Sequence, residues 1–560
     1  MEELKPGLVN SVPLTPLGFL EKTAAVYGDC PSIIYNTTTY TWSQTHRRCL
    51  QLASSLSSSF SIARGDVVSV VAPNVPAMYE LHFSVPFTGA VLNSINTRLD
   101  ARTVSMILQH GESKLVLVDY SLTSLVVEAV SLFPPNSKRP RLVLIADHDD
   151  YTCPAPITVD SGFCCTYESL VRKGDPEFEW VSPKSEWDPI VLNYTSGTTS
   201  SPKGVVHCHR AIYTMTVDSM IEFSLPKRAV YLWTLPMFHG NGWCFPWAVA
   251  AVGGTNICVG KFDAKTMYGL IKRHVVTHMC GAPVLLNMLT NSSPENEPLK
   301  NPVHILTGGS PPPASLLLKA ESVGFIVTHV YGLTEAGGVI VSSAWKPKWD
   351  SLAASDRAML KARQGVRNGG LTRVDVVDPN TGASVKRDGS SVGEVVLRGG
   401  CMMLGYLKDP VGTRNCMRED GWFYTGDIAV MHPDGYLEIK DRSKDVIISG
   451  GENVSSVEVE SILYANPAVY EAAVVARPDD YWGETPCAFV SLKGGLKRKP
   501  TEKEMIEYCR AKLPHYMVPK TVVFMEELPK TSTGKIKKFL LRDIAKGMKS
   551  ITVTATVSRM

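Results

Sequence analysis

Apolar and polar positions alternate in short blocks along the first 150 residues. Runs of four or five apolar or β-branched residues at 32–35, 39–42, 67–71, 115–118 and 142–145 predict strands, the third closed by Pro73. Between them lie longer stretches with helical spacing, at 16–22 and 43–58 among others. Strands alternating with helices predict α/β layers with largely parallel sheets. The same pattern resumes at 189–193, a buried-type strand, and again at 205–207, an apolar run leading toward a helix.

Between those two runs stands the most polar and least bulky loop of the chain, Tyr194-Thr195-Ser196-Gly197-Thr198-Thr199-Ser200-Ser201-Pro202-Lys203-Gly204. A strand, a Gly/Ser/Thr loop and then a helix is a layout that wraps backbone N–H groups and hydroxyls around phosphate. Lys203 adds a point charge for phosphate oxygens. The loop departs from the P-loop pattern: counted from Gly197, Pro202 takes the second glycine's place and Gly204 the Mg²⁺-binding hydroxyl's. Proline has no N–H to donate, so a kinase or GTPase loop is disfavoured. Most Ser/Thr/Gly runs are plain surface loops, and this one gains meaning only from the residues downstream of it in the chain.

Residues 229–243 predict a strand ending at Pro236, then a Gly-broken loop carrying Phe238, His239 and Trp243, which suits a small-molecule pocket. His274 and His278 are four apart, as zinc ligands on one helix face are, but no glutamate follows His274 and no third ligand is evident. His207 and His209 point different ways. Residues 303–310 predict a strand and a Gly-Gly-Ser turn. Tyr331, Thr334 and Glu335 place a ring, a hydroxyl and a hard carboxylate within five residues, a set able to cover a base, hold a phosphate oxygen and help hold Mg²⁺. Asp427 follows a tight turn where it could accept from ribose hydroxyls, and Asp434-Gly435 centres a hairpin turn. Past 445 the character shifts. Ser455 with Glu458, and Thr501 with Glu504, have capping-box spacing for two helices. Strands near 470–475 and 522–525 and a loop at 529–535 complete a compact α+β unit of about a hundred residues.

Composition narrows the classes. Lys+Arg 57 against Asp+Glu 54 leaves +3, with no electrostatic footprint for nucleic acid. No apolar run approaches the ~20 residues of a membrane span. Thirteen cysteines, none in a C-x-x-C pair, fit reduced thiols of an intracellular compartment.

Six stretches then line up: YTSGTTSSPKG (194–204), YGLTE (331–335), GEVVLRG (393–399), YTGD (424–427), DRSKDVIISGGENVSSVEVE (441–460) and PKTSTGK (529–535). In order and spacing they resemble the adenylate-forming family of acyl-CoA synthetases, 4-coumarate:CoA ligases, luciferases and adenylation domains. The chain looks most similar to plant peroxisomal acyl-activating enzymes of the benzoate, cinnamate and short-chain type. The resemblance implies an α/β fold: a large, multi-layered N-terminal domain of mostly parallel sheets with helices (1–440), a small mobile α+β C-terminal domain (441–545) hinged at 441–445, and a flexible tail (546–560). It implies a two-step reaction with ATP, Mg²⁺ and coenzyme A, in which a carboxylic acid becomes an acyl-adenylate and then a thioester. A luciferase-like adenylate oxidase and an inactive nucleotide-binding homologue are the alternatives.

Roles carry over by position. The resemblance makes Lys535 the mobile cation at the α-phosphate, Thr334 a phosphate contact, Glu335 the Mg²⁺ ligand, His239 a gate between acyl pocket and adenylate, and Lys444 the hinge. It assigns Thr195, Ser196, Gly197, Thr198, Thr199 and Lys203 to the pyrophosphate end of ATP. Gly309, Ser310, Tyr331 and Gly332 fall to the adenine side, and Asp427 and Arg442 to the ribose. Lys261, Gly450 and Gly451 go to CoA. Two departures stand out: Ser200 replaces a glycine of the phosphate loop, and Ile448 stands where coumarate ligases often carry lysine. The end, Ser558-Arg559-Met560, resembles a relaxed peroxisomal address read by an import receptor. Peroxisome is the expected compartment, cytoplasm the alternative.

Overall fold

The computed structural model describes residues 7, 9–146, 162–195, 202–260, 262–291, 298–442, 445–449, 452–479, 482–531 and 534–548. Two sheets dominate the larger, N-terminal part of the chain. One has eight strands, running from Gly405–Tyr406 through Lys203–Cys208, Pro189–Thr195, Val91–Ser94, Val67–Val71, Leu115–Asp119 and Arg141–Ile145 to Phe163–Thr166. From Pro189–Thr195 onward every pairing is parallel. The other has nine strands, with a parallel centre built from Phe325–Leu333, Val303–Thr307, His278–Gly281, Val230–Leu232, Thr255–Ile257 and Pro31–Tyr35. Strands buried on both faces explain the continuous apolar runs in the sequence. Val68, Val70, Leu115, Val116, Leu117 and Val143 have no exposed surface.

The helix Trp42–Phe60 begins one residue before its predicted start. Thr41 and Gln44 form a reciprocal capping box, which ends the preceding strand at Thr41 and moves Trp42 into the helix. Its buried face meets a rare buried acid: Glu80, with no exposed surface, takes two bonds from Arg48 (2.6 and 3.2 Å) and one from Tyr167 (2.6 Å). A carboxylate so placed is tolerated only because it is paired.

Two further sheets follow. Arg373–Val377, Val392–Arg398, Phe423–Met431 and Leu437–Arg442 pair antiparallel throughout, so the third sheet departs from the parallel rule. The turn at Asp434-Gly435 joins the last two, with Gly435 at φ +85°. The fourth sheet contains Ile447–Ser449, Glu452–Val454, Val469–Asp479, Gly483–Leu492 and Thr521–Phe524. It carries its own core around Val459, Leu463, Val474, Ala488 and Met505. Helices Ser456–Tyr464 and Glu502–Arg510 start where the sequence placed them. Thr501 and Glu504 close a full capping box, whereas Ser455 accepts from Glu458 N alone at 3.3 Å.

Two local expectations are corrected. No helix follows the polar loop directly: Lys203–Cys208 is a strand, antiparallel to Pro189–Thr195, and the helix His209–Glu222 comes only after it. The β-branched Val205 and Val206 pair with Asn193 and Leu192, and cross-strand packing wins over helix formation there. His274 and His278 do not share a helix. His274 ends the helix Ala264–His274, Val275 turns left-handed, and His278 opens a strand, where its ring stacks on His304 at 4.9 Å.

Candidate functional site

Strand ends of the two large sheets deliver three of the predicted groups. Thr195 ends one parallel strand, Gly308 to Ser310 follow the end of Val303–Thr307, and Leu333 to Glu335 follow the end of Phe325–Leu333. The carboxyl edge of parallel strands is where open α/β sheets bind ligands. Gly309, at φ +86°, makes its turn in a region that suits glycine. Gly332 is required by space instead, since a Cβ there would lie 2.0 Å from the Gly338 carbonyl oxygen.

The acidic groups are already oriented. The Tyr331 hydroxyl donates to Asp427 Oδ2 at 2.7 Å, which ties the predicted adenine-side ring to the predicted ribose acid. Asp427 pairs in register with Arg442 across the antiparallel sheet, so both ribose candidates sit at one sheet position. The Tyr406 hydroxyl donates to Glu335 Oε1 at 2.8 Å, and burial next to that carboxylate raises the Tyr406 pKa strongly. Lys203, register partner of Thr195, holds its ammonium 4.5 Å over the Tyr406 ring. One carboxylate braced by a phenol and flanked by a lysine suits Mg²⁺, which takes one or two protein oxygens and fills its shell with phosphate and water. Among the described residues no group of three or more His, Cys, Asp or Glu could hold a metal unaided.

His207 enters the site in a role the sequence did not suggest. It is fully buried, and its Nε2 donates to the Thr334 carbonyl at 2.6 Å, fixing the turn Thr334–Ala336. Burial pushes its pKa down to about 4, so it braces as a neutral ring. Tyr406 and His207 carry no motif of their own; both follow from partners that only the fold brings near.

His239 lies within electrostatic reach of Lys535, nearly three hundred residues later in the chain. Burial, then the charge of Lys535, lowers the His239 pKa to about 4. The loop that presents Lys535 is stapled: Thr531 N donates to the Lys535 carbonyl at 2.6 Å, Gly534 N to Thr531 O at 3.0 Å, and Lys535 N to Thr531 Oγ1 at 3.0 Å. Gly534 (φ +81°) is pressed against Val284 of the helix Pro283–Asn291, and a Cβ there would lie 2.2 Å from Val284 Cγ1. Asn287 of the same helix donates to the Tyr470 carbonyl at 3.0 Å.

After His239 the backbone does something unusual. Gly240, Asn241, Gly242, Trp243 and Cys244 all have positive φ, from +40° to +66°, making one left-handed turn. Each non-glycine residue there costs about 1–2 kcal/mol, so the surroundings must enforce it. Asn241 bonds Asn193 and Ser94, Ser219 Oγ donates to the Trp243 carbonyl at 3.4 Å, and Cys244 Sγ donates to the Gly337 carbonyl at 3.2 Å. Gly242 cannot be replaced easily, because a Cβ would lie 2.8 Å from the Trp233 ring. The turn sets the Trp243 backbone against Gly338 and its ring beside Gly308, which follows the strand Val303–Thr307. Its backbone is 3.7 Å from a Cβ position on Gly338, and its ring tip is 3.5 Å from one on Gly308.

Direct contacts link Tyr331 to Asp427, and Glu335 through Tyr406 to Lys203, the register partner of Thr195, while His239 lies within electrostatic reach of Lys535. Ser196, Gly197, Thr198, Thr199, Ser200, Lys261, Lys444, Gly450, Gly451 and the side chain of Arg442 lie outside the described residues. Ile448 is 55% exposed on its strand, and its N–H donates to Glu484 at 2.9 Å.

Comparison with known proteins identifies the family. The model of the AMP-binding enzyme family matches residues 20–407, and that of the AMP-binding enzyme C-terminal domain matches 458–535. A 2-methylpropanoate–CoA ligase of Humulus lupulus is 66% identical over 560 residues, covering all of both chains. A probable peroxisomal acyl-activating enzyme of Arabidopsis thaliana is 63% identical over 561, again with full coverage. The crystal structure of an anthranilate CoA ligase with anthranoyl-AMP superposes with a TM-score of 0.83 over 96% of this chain and 98% of the other, at 24% identity, which speaks to the fold. The chain belongs to the AMP-binding enzyme family, and within it to the AMP-forming acid–thiol ligases, which use ATP and coenzyme A.

Proposed function

We propose that the acid taken by this ligase is a short aliphatic one, branched chains included, and that benzoate- and cinnamate-sized rings are poor substrates. The observation that carries this reading is Trp243. Its backbone is held in a left-handed turn against Gly338 and its ring tip reaches Gly308, four residues along from His239, where it would close the acyl side of the site. A pocket floored by a rigid ring discriminates by length, at roughly 10- to 200-fold for each methylene that does not fit. The relative named as a 2-methylpropanoate ligase supports the same choice.

On this reading the residues divide the work. Tyr331 and Asp427 receive the nucleoside, with the register partner Arg442. Lys203 and the hydroxyl loop Thr195 to Thr199 hold the pyrophosphate end. Glu335, braced by Tyr406, holds Mg²⁺, which supplies charge neutralisation at the phosphates. Thr334 contacts the α-phosphate. As the carboxylate attacks, negative charge grows on the α-phosphoryl oxygens, and Lys535 is the fixed cation that meets it. His239, neutral above about pH 4, adds no second charge to the acyl side of that contact. The unit 441–545 turns about Lys444 between the two half-reactions, and Lys261, Gly450 and Gly451 serve CoA. A peroxisomal address, in keeping with the relative named peroxisomal, completes the proposal. Loss of peroxisomal import on removing Ser558–Met560 is its expected result, and unchanged import overturns it.

The decisive experiment is a pyrophosphate-release screen, with and without CoA, of acids from acetate to octanoate, their branched isomers, benzoate and cinnamate. Short aliphatic acids should give CoA-dependent AMP and the aromatic ones little. Trp243→Ala should raise kcat/KM for benzoate or hexanoate about 10- to 100-fold while lowering it for 2-methylpropanoate. Aromatic acids preferred by the unaltered enzyme would overturn the reading.

A further inference from the structure

Just past the loop bearing Lys535 a second lysine, outside the roles assigned above, opens the helix Lys538–Gly547. Lys538, three residues on, is largely buried, and its ammonium lies 2.8 Å from Glu460 on the helix Ser456–Tyr464. It also donates to the Ser456 hydroxyl, which in turn donates to Asp441 Oδ2 at 2.6 Å; the Ser456 N–H donates to the same oxygen at 2.9 Å. Asp441 is 4% exposed and belongs to the strand Leu437–Arg442, one residue before the register partner of Asp427. Burial alone would discharge Lys538, but Glu460 first and then Asp441 outweigh it and hold its pKa above the ordinary lysine value. One buried, charge-assisted chain therefore runs from the Lys535 loop to the edge of the sheet that carries the nucleoside-facing acid.

We propose that Lys538, acting through Ser456 and Asp441, is the positioning residue that sets Lys535 against the α-phosphate. The inference rests on the role proposed above for Lys535. An ion pair alone would serve stability; the relay through Ser456 to Asp441 adds register between two sheets. Misplacing a catalytic cation by about an ångström costs on the order of 10²-fold, whereas transfer of a preformed adenylate to CoA does not need that cation in place.

The test compares the two half-reactions in the full-length enzyme, as ATP–pyrophosphate exchange and as single-turnover transfer from preformed acyl-adenylate to CoA. Lys538→Met should lower the kcat of exchange by about 10²-fold with KM for ATP changed less than about threefold, and transfer should stay within about threefold. Lys538→Arg should restore most of the exchange. Ser456→Ala breaks the relay without leaving a charge unpaired and should lower exchange about tenfold, which keeps the test intact if Lys538→Met does not fold. Equal losses in both half-reactions, or undiminished exchange in Ser456→Ala, would overturn the inference. Lys535→Ala run alongside separates the two proposals: if it retains exchange, the cation assignment itself is wrong. If it abolishes exchange while Lys538→Met and Ser456→Ala do not lower it, only the positioning role fails.

Discussion

The nucleotide side of the site and the Lys535 loop are built on opposite principles. Tyr331, Glu335 and Thr195 sit at or just past the ends of strands and Asp427 in the middle of one, and each is braced by a partner from another element. Lys535 stands on a loop held by its own turn bonds, a glycine contact and a buried ion pair next door. A rigid cradle and a separately anchored cation allow binding and charge stabilisation to be changed one at a time. Interactions made mainly in the transition state should then depend on the loop, and ground-state affinity on the cradle.

That contrast can be broken most directly at Lys535. Lys535→Ala should lower adenylate formation by at least about 10²- to 10³-fold in kcat, with KM for ATP little moved, measured by pyrophosphate exchange. A large rise in KM would place Lys535 in the cradle. Asp427→Asn should do the reverse, raising KM for ATP about tenfold by weakening a charge-assisted bond, with kcat changed less. Tyr406→Phe removes one bond from Glu335, worth about 1 kcal/mol, and should raise the Mg²⁺ concentration needed for half-maximal rate several-fold.

Acid should loosen the cradle. His82, His207, His209, His239, His278 and His329 all have pKa values pushed down to about 4, mainly by burial, and all lie before residue 330. Between pH 6.5 and 4 the unfolded chain binds protons that the folded one refuses, so stability falls as pH falls through that window. Asp218, raised to about 6 by burial, works against this below pH 6, as do Glu460 and Glu471, both raised mainly by burial, but they are outnumbered by the buried histidines. Melting temperature should drop steadily from pH 7 to 4.5, and hydrogen exchange should show 1–440 opening first. The smallest effect is expected at the exposed pair Lys408–Glu112 (2.7 Å), where Glu112→Ala should shift stability by less than about 1 kcal/mol.

Much of this was legible in the sequence, for reasons that can be named. Buried parallel strands write themselves as apolar runs, and the helices starting at Ser456 and Glu502 announce themselves through Ser455 and Thr501. Ordered motifs located Tyr331, Glu335, Asp427 and Lys535. Register did not show: Tyr406 and His207 act through contacts across 71 and 127 residues, and no local pattern encodes them. The strand Lys203–Cys208 was hidden because its pairing with Pro189–Thr195, rather than its own spacing, decides its conformation. The left-handed turn was hidden too. Two glycines advertised a bend, but Asn241, Trp243 and Cys244 adopt positive φ only because Asn193, Ser94, Ser219 and Gly337 hold them there.

If Trp243 closes the acyl side as proposed, that turn would give the site an adjustable depth. On that reading depth would rest on one indole mounted on a backbone that neighbouring polar groups already clamp, so an exchange at position 243 alone would lengthen the cavity without remodelling either sheet. Glycine there would also release the left-handed penalty that tryptophan now carries. A change of diet would then come with a more relaxed main chain, at the expense of the packing the ring provides.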